Sequence, residues 1–582
     1  MKNYKKVYAA FILAGGLILH GCNGIFDDLA INPNQPSMGA YFTSPSAVND
    51  AVMTMYGYMS TQRCLGASGS KTTIIRSDEA SSNSDYGKPG MFGADLNASY
   101  YTIEQPYTLM YTTASQASYI IETAPSVDFS GNEELRNAYM GEAYFWRAFA
   151  HYYLLINFRN ISPIRQMPRN GDDYVRPLEK PAAVWDFIQE DLAHAKELLP
   201  VKGYWDSKNA GRVTKASAAA LLGKAYLYRS GIEQYYGEDK TTFYSEAAKE
   251  FADIIDGKYG TYDLTKNYAD NFDVAHENNE ESILEFQFLG DVDNAGFNPG
   301  LATSGLAFDS RGLMLPGAGV GYEGVVHNWL YNAFVNSVDK DGYTDIRMFS
   351  TMIFNDLDAS IHLRNDAGGN PIRLKGPGGY KWEELYPAKN GKEGFATMSN
   401  PLAHSFKAGI RKGIDCSMPT QTEADGTPKL VGVGAGVKEY VYNQPRAHGV
   451  NWRYIRYADV LMMYAESVVS GGTQASNMTP LQAVNKVRGR VNMSELPSVT
   501  MTDIQNERIL EFALEGHRFY DLLRWGKLAS RFTELQESDP NFKKFISADD
   551  FKGFVTNKHE WLPIPINEVN SNPYITENNP GY

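Results

Sequence analysis

Apolar residues recur with a period near 3.6 along two separated parts of this chain, and the pattern stops between them. Stretches of that period fill about 45–63, 105–126, 133–158, 181–199, 212–231 and 243–256, then 455–469, 479–490 and 502–526. Between about 258 and 454 the residues change to "GFNPGLATSG", "LPGAGVGYEG", "NDAGGNPIRLKGPGGY" and "DGTPKLVGVGAGV". Such residues punctuate turns and short strands. The expected fold is mainly α, with a loop-rich insert of short strands and helices set into a helical scaffold.

The helices also read as pairs. In "LLGKAYLY" Leu222 and Gly223 precede Tyr226, and in the following "FYSEAAKEFADII" Ala247 stands four residues before Phe251. Small residues there let two helices approach, and the aromatic fills the adjoining gap. "MGEAYFWRAFAHYYLLI" pairs with "AAVWDFIQEDLAHAKELLP", where Ala183 and Phe187 repeat the spacing; "RYADVLMMYAESV" pairs with "LQAVNKVRGRV". The L-G-x-x-Y and A-x-x-x-F spacings are those of tetratricopeptide helices, with loops longer than the usual period of about 34 residues. Amphipathic helices of any bundle would give part of the pattern. The expectation is a tetratricopeptide-like scaffold of about four helix pairs. It would occupy about 45–257 and 455–526, with the insert at about 258–454 and a C-terminal cap at 527–582, all in one domain from 45 to 582.

The chain begins with Lys2, Lys5 and Lys6, followed by an apolar run from Val7 to Leu19. That run fits a secretory signal over residues 1–21 and is short of the ~20 residues that span a bilayer. Leu19-His20-Gly21-Cys22 resembles a bacterial lipobox, although His20 is untypical. Cys22 is then the expected lipidation site and 22–44 the linker behind it. Each buried CH₂ of a lipid contributes about 0.8 kcal/mol, so two or more acyl chains hold a soluble domain at a membrane. Asp27 and Asp28 resemble a surface-export signal; a solvated linker accounts for them equally.

Charge narrows the partners. The formal net charge is −14, and removing residues 1–21 takes away three lysines and no acid, leaving −17. That balance speaks against nucleic acid and against anionic lipid surfaces. Besides Cys22 only Cys64 and Cys416 occur, too few for a disulfide framework. No metal-type Cys/His cluster is present, EF-hand spacing is absent from "NNEE" and "DVDN", and no cofactor is implied.

The C-terminal third holds the most specific stretches. "NWRYIRYADVLMMYAESV" is followed by "AVNKVRGRV", "IQNERILEFALEGHRFYDLLRWGKL", "WLPIPINEV" and "ENNPGY". Arg456, Asp459 and Glu466 are expected on one helix, and Glu507, Arg508, Glu511 and Glu515 on another. Residues three and four apart share a face, so Arg508 can meet Glu511, and the other acids can meet Arg518 or Arg524. Glu511 and Glu515 could be mistaken for an acid/base pair. A general acid needs a raised pKa, and neighbouring arginines lower it, so they read as structural ion-pair partners. Trp146, Trp185, Trp525 and Trp561 fall within these motifs and read as core.

Taken in order, these stretches resemble the SusD/RagB family of outer-membrane nutrient-uptake lipoproteins. "GEAYFWRAFAHYYLLINF" with Arg147, "GRVTKASAAALLGKAYLY" and "DDLAINPNQPS" are similar to its earlier segments, and Asp521 belongs to the same motif as Arg524. The likeness runs from Cys22 to Tyr582 and is loose over about 258–450. It implies a non-enzymatic, surface-exposed lipoprotein that sits as a lid on a SusC-like TonB-dependent transporter. Such a protein captures oligosaccharides, or for RagB-like members peptides. The helical face would meet the transporter and the loop-rich side the ligand.

Sugar rings stack on flat aromatic faces, and their hydroxyls need polar partners beside them. Two stretches combine both. "RSDEASSNSDYGKPGMFGADLNASYY" offers Asp78, Asn83, Asp85, Tyr86, Tyr100 and Tyr101. "RLKGPGGYKWEELY" offers Arg373, Tyr380, Trp382 and Tyr386. Tyr322 and Trp329 are further candidates, although Leu330 and Phe334 beside Trp329 also give it a core reading. Trp205 reads as a transporter contact. A secreted glycosidase would need two carboxylates ~5–9.5 Å apart across a cleft. No G-x-S-x-G, H-E-x-x-H or Walker-type stretch is present.

Overall fold

The computed structural model describes residues 42–61, 63–82, 96–288, 313–314, 322–376, 381–388, 390–394, 406–413, 424, 430–433, 437–440, 450–539, 542 and 554–582. Its N-terminal part is a run of helices packed on their neighbours in the chain. Helix α1 (Pro45–Met59) starts on Ser44, whose side chain accepts the Ala47 N–H, with proline in the first turn. Then come α2 (Tyr101–Thr123), α3 (Glu133–Phe158), α4 (Pro181–Leu198), α5 (Lys215–Tyr236) and α6 (Tyr244–Ile255). Helix α3 is buried almost all round from Ala138 to Phe158 because α2 and α4 both pack against it. Helix α5 packs likewise between α4 and α6.

Two glycines set how closely neighbouring helices approach; Gly223 was expected from its spacing and Gly141 was not. A Cβ on Gly223 would lie 2.7 Å from the Phe251 ring, and one on Gly141 would lie 2.9 Å from the Leu199 side chain. Both are closer than atoms tolerate, so glycine sets how near α5 comes to α6 and α3 to the end of α4.

Strands carry the insert. In chain order they are β1 (Ala80–Ser82), β2 (Ser282–Phe286), β3 (Leu313–Met314), β4 (Tyr322–Val326), β5 (Met352–Phe354), β6 (Ala408–Ile410), β7 (Leu430–Val433), β8 (Val437–Tyr440) and β9 (Trp452–Arg456). Among the described residues, β1, β4, β6 and β5 form an antiparallel sheet in that order, with β3 parallel to β4. The pair β2–β9 ties the insert back to the helices, and β7 pairs with β8. Helix α7 (Asn328–Val335) follows β4. A second, smaller core forms around this sheet from residues such as Val326, Phe334, Met352, Phe354 and Trp382.

After β9 come α8 (Tyr457–Val469), α9 (Pro480–Arg490), α10 (Met501–Glu511), α11 (Arg518–Arg524) and α12 (Leu528–Ser538). Helix α8 packs on both α6 and α9. Two expectations need correction here. Arg456 is the last residue of β9 rather than part of a helix. The stretch 502–526 is not one helix. The chain turns between α10 and α11 through Leu514 at φ 60° and Gly516 at φ 92°. A Cβ on Gly516 would lie 2.9 Å from the Thr73 hydroxyl, so the turn needs glycine both for its conformation and for room.

That turn brings the charged motif together as a buried lattice. Arg456 donates to Glu281, Glu511 and Glu515; Arg347 to Asp345, Glu507 and Glu511; Arg490 to Glu281 and Glu511; Lys412 to Glu515. Arg508 pairs with Asp459 and Asp521, not with Glu511 as its spacing suggested. Arg524 pairs with Glu466 and Asp521, and Arg147 pairs with Asp191 at 2.7 Å. Burial would raise the carboxyl pKa values of Glu511 and Glu515, but the surrounding cations outweigh it. Arg456 and Lys412 hold Glu515 down at about 2, and Arg490, Arg456 and Arg347 hold Glu511 well below the ordinary range. Both are therefore ionised structural partners, as read from sequence.

Trp146, Trp185, Trp525 and Trp561 are buried. Trp205 is half-buried beneath the Arg212 guanidinium, 4.2 Å from its ring centroid. Cys64 is a buried free thiol, and burial pushes its pKa up. Cys22 and Cys416 lie outside the described residues. No helix among the described residues is long and apolar enough to cross a membrane.

Candidate functional site: a tyrosine-walled groove along α2

Helix α2 presents Tyr101, Glu104, Thr108, Tyr111 and Ser115 at spacings of three and four, which places them on one face. Helix α13 (Ile566–Ser571) lies across that face. The Ile566 N–H donates to the Ala98 carbonyl at 2.8 Å, and the Asn567 amide donates to Glu104. The third wall is the loop carrying Tyr174 and Arg176. The Asn572 amide clamps it by donating to the Arg176 carbonyl at 2.9 Å and to Glu568 at 3.1 Å. Between the walls lies a cavity of about 360 Å³.

The groove holds the mixture that a polyhydroxylated ring requires. Glu104 and Glu568 accept, the Arg176 side chain donates, and Thr108, Thr112, Ser115 and Ser162 add hydroxyls. The rings of Tyr107 and Tyr111 back the wall with centroids 4.9 Å apart. The Tyr111 hydroxyl accepts the Ser162 N–H at 3.1 Å, and burial pushes its pKa up, so it stays a neutral phenol. Tyr174 is the solvent-open aromatic residue of the lining, and Tyr101 and Tyr574 lie on the flanking elements. Tyr174 is 57 % exposed and Tyr101 is 38 % exposed. Tyr574, 58 % exposed, follows Asn572 closely and donates its N–H to that side chain at 3.1 Å. Large exposed rings next to polar clefts mark surfaces that bind something.

The sequence candidates distribute unevenly. Tyr100 and Tyr101 stack at the start of α2 with centroids 5.5 Å apart and planes 29° apart, outside the lining of the cavity. Asp78 is buried and paired with Arg518 at 2.9 Å and Arg531 at 2.7 Å. Trp329 is half-buried, donates its indole N–H to the Asp78 carbonyl, and lies under the Arg531 guanidinium at 4.2 Å. These two form a junction between α7, α11 and α12. Arg373 pairs with Asp356 at 2.6 Å and with Glu383 at 2.9 Å. Trp382 and Tyr386 are buried in the second core with centroids 4.5 Å apart. Asn83, Asp85, Tyr86 and Tyr380 lie outside the described residues, and Tyr322 is described only as the first residue of β4.

Sheet register aligns three strand ends, of which Tyr322 is the one sequence candidate among the described residues. Ser82 pairs opposite Gly324, and Val325 opposite Gly409. The exit of β1, the entry of β4 and the exit of β6 therefore share one end of the sheet. Sequence reasoning missed Glu104, Tyr111, Tyr174, Arg176 and Glu568. The first two could have been found by reading α2 at helical spacing. The others come from distant loops that only the fold brings to α2.

A model of the SusD family matches residues 421–582, and a second model, described as starch-binding associating with outer membrane, matches residues 31–227. A SusD-like protein of Bacteroides ovatus is 24 % identical over 532 residues, 90 % of this chain and 83 % of that protein. SusD-like protein P2 of Formosa agariphila is 24 % identical over 608 residues, 100 % of both chains. Among solved structures, a SusD superfamily protein of Bacteroides vulgatus is 22 % identical with a TM-score of 0.65, covering 93 % of this chain and 100 % of that one. Surface glycan-binding protein A of Bacteroides thetaiotaomicron, in complex with laminarihexaose, is 18 % identical with a TM-score of 0.64, covering 92 % and 100 %. Two ends of one chain thus match models of one family, and the mainly helical fold agrees with its solved members: the chain is a SusD-like family protein.

Proposed function

We propose that this chain is a surface lipoprotein, anchored through Cys22, that captures oligosaccharides without cleaving them and passes them to a SusC-like TonB-dependent transporter in the outer membrane. The groove along α2 carries this reading, because the open Tyr174 face there adjoins acceptors, a guanidinium and hydroxyls. The relatives support it: one solved neighbour is a laminarin-binding SusD-like protein, and another holds laminarihexaose. Capture without cleavage is supported by the relatives, two of which are named surface glycan-binding proteins.

The test uses residues 23–582, screened by affinity electrophoresis against laminarin, starch and other glycans, with a peptide mixture run beside them and the recovered sugars checked for chain shortening. Retardation by an intact glycan is the expected result. Binding of peptides alone would move the chain to peptide capture. Shortened products would make it a hydrolase.

A further inference from the structure

We infer that the chain carries a second saccharide site, for a neutral oligosaccharide, where the ends of α5, α6, α8 and α10 converge. It takes the same class of ligand as the α2 groove and rests on that reading for the class alone. The cavity there measures about 840 Å³, within the range of ligand sites and more than twice the volume of the α2 groove.

Its floor is polar but electrically closed. Arg524 pairs with Glu466, and the Trp525 indole N–H donates to the same carboxylate at 2.9 Å. Its walls are amides and hydroxyls, from Gln234, Thr242, Ser245, Thr502 and Gln505, which both donate and accept. The remaining lining charges are one cation, Lys527, whose ammonium donates to the neutral Gln505 amide at 2.6 Å, and one anion, Glu246, so the lining carries no net charge. An anion would require an excess of cations, and an apolar ligand would require a mainly apolar wall. Neither is present.

The aromatic element is Tyr235, which is 52 % exposed. Gly526, at φ 64°, lies beneath it, and a Cβ there would come within 2.5 Å of the ring. Bare backbone thus supports the ring while half of the side chain's surface stays open. A supported, open aromatic ring beside neutral donors and acceptors is what a pyranose or furanose ring stacks on. Two sites on one chain also let a single polysaccharide strand engage twice, which raises its retention without any new contact.

The test is calorimetric titration of residues 23–582 with laminarihexaose and maltohexaose, on wild type, Tyr235→Ala, Gln505→Ala and the Tyr101→Ala/Tyr174→Ala double variant, each checked by circular dichroism. The expected result is two binding events in wild type. One should survive in the double variant and weaken at least about fivefold when Tyr235→Ala is added. Gln505→Ala should weaken the same event and decides the matter if Tyr235→Ala fails to fold. A single event in wild type that the double variant abolishes overturns the second site and leaves the α2 groove standing. A single event lost only with Tyr235→Ala supports the second site and removes the groove. No binding of either sugar overturns both. Unchanged sugar binding by Tyr235→Ala, together with loss of co-purification with the outer-membrane barrel, assigns the cavity to a protein partner and overturns the proposal.

Discussion

The lattice around Arg456 and the groove along α2 are both rich in polar groups, yet they are built oppositely. In the lattice every carboxylate meets a cation in the interior, and aromatic rings such as Phe512, 4.6 Å from the Arg456 guanidinium, close over it. In the groove the carboxylates Glu104 and Glu568 meet neutral amides, and Tyr174 in its wall stays open. The lattice satisfies itself and fixes the fold. The groove leaves capacity for a ligand. Carboxylate-rich sequence therefore says little about function until the partners of each carboxylate are known.

The largest effect is expected in the lattice. Arg456→Met leaves Glu281, Glu511 and Glu515 short of a buried cation and should cost about 3–5 kcal/mol, read as a lowered urea midpoint. A near-neutral result would mean that the lattice does not hold the fold. Gly223→Ala, which pushes a methyl group into Phe251, should cost about 1–3 kcal/mol in the same assay. Tyr174→Ala should do the reverse of both. Stability should stay within about 0.5 kcal/mol, as at exposed sites generally, while oligosaccharide affinity falls about fivefold or more.

The smallest effect concerns pH and separates two signs of titration. Glu511 and Glu515 have depressed folded pKa values, so their contribution is present above the ordinary carboxyl range and is lost as pH falls toward about 2. Glu79 behaves oppositely. Burial pushes it up to about 8, against the Leu514 N–H that donates to it at 2.9 Å. Its contribution is full at acid pH and declines as pH rises through 8. Glu79→Gln should therefore flatten the alkaline decline of stability and leave the acid limb unchanged. An unaltered alkaline limb in thermal scans from pH 6 to 9 would refute that assignment.

How much was legible beforehand follows the same divide. Helix positions were readable because apolar periodicity is local; α3 was expected at 133–158 and is observed there. The ionised state of Glu511 and Glu515 was readable from the density of arginines nearby. The partner of Arg508 was not, because the turn at Leu514 and Gly516 redirects the chain and local spacing carries no record of it. Trp382 and Tyr386 sat in a glycine-rich stretch that suggested exposure, yet they fill the second core. Tyr101 was singled out from sequence, but Tyr174, Arg176 and Glu568 were not, since they reach α2 from 50 or more residues away in the chain.

The central claim is that the groove, rather than the lattice, meets the ligand. Calorimetric titration of laminarihexaose into Tyr174→Ala beside wild type tests it most directly. The account expects affinity at least about fivefold weaker with an unchanged unfolding midpoint. Equal affinity in the two proteins would contradict it.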